Sequence, residues 1–86
     1  MVELEELVNK YMEIIGAYIT KEHQLKEYTE IIKWDLHDKE INKDLILKEN
    51  VNIHGRLSPL LGHSASQELL DKLKKRVLRH YYPEEK

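Results

Sequence analysis

Residues 4–36, LEELVNKYMEIIGAYITKEHQLKEYTEIIKWDL, decide the fold. The stretch has no proline and a single glycine, Gly16. Apolar residues fall at Leu4, Leu7, Val8, Tyr11, Ile14, Ile15, Tyr18, Leu25, Tyr28, Ile32 and Leu36, which is helical spacing. Leu4, Tyr11, Tyr18, Leu25 and Ile32 also recur at heptad intervals, with Leu7, Ile14 and Tyr28 at the intermediate positions of the seam. Lys21 and Asp35 occupy two further intermediate positions and interrupt it.

Two arrangements fit this pattern. One is a continuous helix over residues 2–37, roughly 50 Å long at 1.5 Å per residue. The other is a helical hairpin that turns at Thr20-Lys21-Glu22-His23, with Thr20 capping the second helix. The four turn residues include no Gly, Pro, Asn or Asp, so the pattern favours the continuous helix.

Downstream the signals conflict. Ile41, Leu45, Ile46 and Lys48 fit a continuing helix, whereas Leu45, Leu47, Val51 and Ile53 alternate as in a strand broken at Glu49, and Asn50, Asn52 and His54-Gly55 read as turn formers. Ser58-Pro59 reads as a helix cap followed by proline at the first helical position. Residues 39–63 are therefore expected to form a mixed loop with one short helical turn ending at Gly62. Ser64-Ala65-Ser66-Gln67 has the form of a capping box. Leu69, Leu70, Leu73, Val77 and Tyr81 then line one face of an amphipathic C-terminal helix, which Pro83 stops. Glu84-Glu85-Lys86 is expected to be a solvated tail. The expectation is a mainly α, single small domain over residues 1–86.

Composition agrees with helix. Charged residues make up 35% of the chain, against three glycines and two prolines. There is no cysteine, which excludes disulfides and thiolate metal sites. A core this small is marginal, so self-association or binding to a larger protein is the expected support. The start, Met1 to Glu6, is acidic and lacks the layout of a signal peptide, so a cytoplasmic location without membrane contact is expected. Charge is unevenly placed. Residues 1–38 carry nine acids and four lysines, whereas Lys72 to Tyr82 hold five bases and no acid.

Candidate chemistry is thin. Gly62-His63-Ser64-Ala65-Ser66 departs from a nucleophile elbow at its last position and lacks the large α/β fold that elbow needs. No two histidines stand three or four apart, and His37 with Glu40 is one pair, not a metal site. His54, His63, Arg56 and Ser58 are close in sequence and form a weak candidate anion pocket. The carboxylates near the start complement a helix N-terminus. No catalytic residue, cofactor or metal is assigned.

The expected role is a non-enzymatic protein–protein interaction module, an adaptor, inhibitor or regulator of a larger protein. In size and helical pattern it resembles small bacterial and phage regulators as a type. The expected interface is the seam of Leu4, Leu7, Tyr11, Ile14, Tyr18, Leu25, Tyr28 and Ile32, through which the chain would form a homodimer. Trp34 lies off the seam and either packs at the core edge or stands exposed as an anchor. The alternative role is nucleic-acid binding through Lys72, Lys75, Arg76, Arg79 and Tyr82, a basic stripe with an aromatic.

Overall fold

The computed structural model describes residues 2–83. The expected tail at Glu84–Lys86 lies outside them. Four helices follow in order: α1, Leu4–Ile15; α2, Glu22–Leu36; α3, Lys43–Leu61; and α4, His63–Leu73. Helical backbone continues from α4 through a π-helical segment, Lys74–Leu78, and a closing turn, Arg79–Tyr81. These three pieces form one C-terminal rod. No strand occurs among the described residues.

The seam folds as a hairpin, not as one helix. A continuous helix would hold Lys21 on the apolar face between Tyr18 and Leu25. The chain instead tightens after Ile15, where the amides of Ala17 and Tyr18 donate to the carbonyls of Ile14 and Ile15 at 3.1 and 2.9 Å. Ile19 is drawn into the core, and Lys21 stays in water. Lys21, not Thr20, takes the cap position of α2, and no side chain bonds there. The radius of gyration is 12.4 Å, close to the roughly 12 Å expected of a folded chain this long.

The larger correction lies in residues 39–63. They form no mixed loop: α3 is 19 residues long and is the longest helix. Its cap is Asn42, whose side-chain oxygen accepts from the Leu45 amide at 2.9 Å. The inward stripe is Ile46, Glu49, Asn50, Ile53 and Leu57, regular helical spacing with two polar members. Leu47 and Val51, half of the apparent strand alternation, face solvent. Ser58-Pro59 begins no new helix. Pro59 sits in the last turn of α3, where both it and Gly55, whose carbonyl loses its intrahelical donor, are exposed.

Gly62 makes the corner into α4 with φ +82°, a left-handed region that side chains other than hydrogen disfavour. It ends α3 and begins α4 at once, its amide donating to Ser58 and its carbonyl accepting from Ser66, each at 3.0 Å. The expected capping box does not form. Ser66 Oγ donates instead to the His63 carbonyl at 2.9 Å, and Ser64 is exposed.

The core is built from all these helices. Leu7, Tyr11 and Ile15 of α1 are fully buried, as are Ile46, Leu57, Leu69, Leu73 and Val77. Packing is antiparallel between α1 and the C-terminal rod: Glu6 lies by Tyr81, and Tyr18 meets Glu68 and Lys72. Replacing Leu57 by Ala should cost about 2–5 kcal/mol, because the site is sealed on every side. Replacing the exposed Leu60 should cost within about 0.5 kcal/mol. Urea unfolding of the two variants checks this; equal midpoints would contradict the placement of α3.

Candidate functional site

The expected interface does not stand open. Leu7, Tyr11, Ile14 and Ile32 are buried in the chain's own core, and Leu4, Tyr18, Leu25 and Tyr28 pack half-buried against it. A surface engaged within the monomer is not available to a second copy in this fold. Trp34 is the exception. It is 77% exposed rather than packed at the core edge. Its ring stacks on His37 with centroids 6.1 Å apart, and Glu30 and Lys33 flank a shallow depression beside it. Ile31, one helical turn earlier, is also exposed.

The basic stripe divides. Lys72 Nζ lies 3.0 Å from Glu68 Oε1 and 4.9 Å from the Tyr18 ring centroid. Tyr18 donates its hydroxyl to the same carboxylate oxygen at 2.7 Å. The Tyr18 hydrogen bond and the Lys72 ammonium hold Glu68 below its ordinary range. Lys72 is thereby part of a clamp between the end of α1 and α4. Tyr82 packs half-buried against the core. Lys75, Arg76 and Arg79 instead line a cleft of about 390 Å³, which Lys10, Glu13, Ile14 and His80 complete. Lys75 also pairs with Asp71 across one turn at 3.1 Å.

Lys10 and His80 were not legible as site residues. Lys10 sits on an acidic helix, and only the antiparallel packing of α1 on the C-terminal rod brings it to the basic face. Among the described residues four permanent cations and one carboxylate, Glu13, line the cleft, with Asp71 paired to Lys75 beside it, in a chain of net charge −2. This arrangement attracts anions.

A second charged group is internal. Asp35 on α2 receives the Arg56 guanidinium of α3 in a two-pronged contact, the second prong at 3.2 Å. That bond holds the Asp35 carboxyl below its ordinary range. Glu49, 2% exposed, lies beside them and accepts from Asn52 at 3.4 Å. Burial first, and then the Asp35 carboxylate, push Glu49 up to about 7. Two carboxyls pushed apart in this way also mark acid–base enzymes. Here Glu49 is sealed in the core, and neither carboxyl lines the cleft or the Trp34 depression. The pair joins α2 to α3.

The other sequence candidates stay apart. Ser58 Oγ lies 3.3 Å from His54 Nε2, but Arg56 turns to Asp35 and His63 begins α4 in solvent, so no anion pocket forms in that segment. His37 meets Asp38 at 3.1 Å, and no cluster of three metal-ligating side chains occurs among the described residues. Nor is any helix among them long and apolar enough to cross a membrane.

Glu49 sets a pH dependence. Its folded value is raised, so its contribution is fully present below the unfolded value near 4.5 and declines as pH rises through about 7. Stability should fall between pH 5 and 7 by at most about 1.4 kcal/mol per pH unit from this group. Glu49→Gln, which mimics the neutral acid, should flatten that decline in urea midpoints taken from pH 5 to 8. An undiminished slope in the variant would assign the effect elsewhere.

Searches against family models, curated proteins and solved structures returned no match for this chain.

Proposed function

We propose that the chain is a non-enzymatic protein-interaction module of the cytoplasm, acting as an adaptor, inhibitor or regulator of a larger protein. The observation that carries this is Trp34, the chain's single tryptophan, held out in solvent on a helix whose other face is anchored in the core. A large aromatic left in water forgoes a substantial hydrophobic gain, and tryptophan is the residue most enriched where partners bind. Ile31 enlarges the apolar surface, and Glu30 and Lys33 supply a charged rim.

The contact therefore moves from the seam to the outer face of α2. A second copy of the chain, like any other partner, would meet Trp34 and not Tyr11. Solvent exposure also fits a binding role better than a structural one, because deleting Trp34 removes little of the chain's own packing.

Trp34 reports on its own occupancy, since no other residue contributes tryptophan emission. Free protein should emit at the long wavelength of a solvated indole. Extract from the source cell, passed over immobilised wild type and Trp34→Ala, should yield a protein retained by the first and lost from the second. Adding that protein to wild type should shift emission to shorter wavelength. The variant should fold within about 0.5 kcal/mol of wild type. Equal retention by both baits, or an unchanged spectrum with the partner bound, would refute the α2 face.

A further inference from the structure

We propose that the cleft between α1 and the C-terminal rod binds a compact, multiply charged phosphate anion. This site is separate from Trp34 and does not depend on the interaction reading. Lys10 comes from α1, while Lys75, Arg76 and Arg79 come from the rod. Like charges gathered in one concavity repel; among the described residues the lining carries one carboxylate, Glu13, and Asp71 pairs with Lys75 at its edge, so cations still outnumber acids there. An anion that sits among them converts the repulsion into attraction. Arginine presents a planar fork of donors that matches two phosphate oxygens at once, and lysine adds a mobile point charge.

Size and surroundings choose the class of anion. The volume, about 390 Å³, falls within the range of roughly 300–1,000 Å³ typical of small-molecule sites. An extended nucleic-acid strand needs a continuous cationic track and exposed aromatic platforms. The rod supplies neither. Glu68 and Asp71 are exposed two turns and one turn before the cleft, and Lys72 is engaged by Glu68 and Tyr18. Tyr82 is packed on the core, and no tryptophan or tyrosine lines the cleft.

The backbone points the same way. The cleft lies on the π-helical segment, a wider turn that is uncommon and often found at functional sites. Within it Val77 and Leu78 are both buried, while Lys74, Lys75 and Arg76 are consecutively exposed. Cations are thus concentrated where the rod meets α1.

Titration calorimetry with sodium pyrophosphate, at ionic strength held constant with sodium chloride, tests the site. Saturable one-to-one binding is expected, together with a rise of a few degrees in the unfolding temperature. Lys10→Gln/Arg76→Gln should weaken the affinity at least tenfold. Glu13→Gln, which removes the opposing charge from an exposed position, should strengthen it severalfold. That second variant keeps the test decisive if the double substitution perturbs folding. Displacement of pyrophosphate by ATP would assign the phosphate tail of a nucleotide as a source of the anion; failure to displace it would assign the free anion. Absence of saturable heat, or affinities unchanged in both variants, would overturn the proposal. So would single-stranded DNA binding more tightly than pyrophosphate, with steep salt dependence and competition for the same residues.

Discussion

Tyr11 is the constraint around which the helices settle. It sits at the middle of α1, fully buried, and its hydroxyl needs an acceptor inside the protein. Asn50 of α3 provides one, at 2.7 Å, and the Ile46 carbonyl lies at 3.4 Å. An unmet hydroxyl there would cost about 1–3 kcal/mol, a large part of what a chain this small has in reserve. The bond therefore fixes how α3 is rotated about its axis. With Asn50 turned to α1, helical geometry carries Ile46, Ile53 and Leu57 inward on the same stripe. It also carries Glu49 inward on the side of α2, where Asp35 and Arg56 receive it. Burial and the Glu49 carboxylate raise the Tyr11 hydroxyl well above its ordinary range, so it remains a donor at every working pH.

This polar centre explains which elements could be read from sequence. The seam residues of α1 and α2 are apolar at nearly every inward position, and their helices were legible. So was the Leu69, Leu73, Val77 stripe of the rod. In α3 the inward stripe contains Glu49 and Asn50, while Leu47, Val51 and Leu60 face water. Hydrophobic periodicity is blind to a helix whose core positions are polar and whose surface is apolar. Asn50 counted as a turn former because its side chain competes with backbone in isolation; here that side chain is committed to Tyr11. Asn42 was the readable signal, a good cap residue directly before the helix. The turn between α1 and α2 is hard to read for a different reason. The charge of Lys21 on the apolar face mattered more than the missing turn formers.

The same burial redirects the search for function. A seam suited to a partner helix found its partner in the rest of the chain. Several groups remain on the surface: Leu47, Val51 and Leu60 on α3, Trp34 and Ile31 on α2, of which Trp34 is the largest and most exposed, and the cations at the junction of α1 with the rod. Neither the Trp34 face nor the cleft depends on an apolar stripe, and of the cleft residues only Lys75, Arg76 and Arg79 announced themselves as a pattern. Lys10 is 65 residues from Lys75 in sequence. Such a site is created by tertiary packing, and no local spacing encodes it.

The cleft and the fold are coupled through the rod's antiparallel approach to α1. Tyr18 with Glu68 and Lys72 closes one end of that contact, and Tyr81 beside Glu6 closes the other. Burial and the Glu6 carboxylate push the Tyr81 hydroxyl up to about 12, so the hydroxyl stays protonated beside that carboxylate. Between these two ends the partners change from mixed to cationic, with Lys10, Lys75, Arg76 and Arg79 lining the cleft around Glu13. The Tyr18–Glu68–Lys72 clamp and the buried Leu73 and Val77 hold the helices together against that local repulsion. The repulsion is thus sustained by packing on either side, a preorganised arrangement that lowers the cost of ordering cations around an incoming anion. Were the cations merely complementary to the rod's own C-terminal end, they would gain from solvated positions around its surface. Their convergence on one concavity, across from a lysine of another helix, is what that account leaves unexplained and anion binding explains.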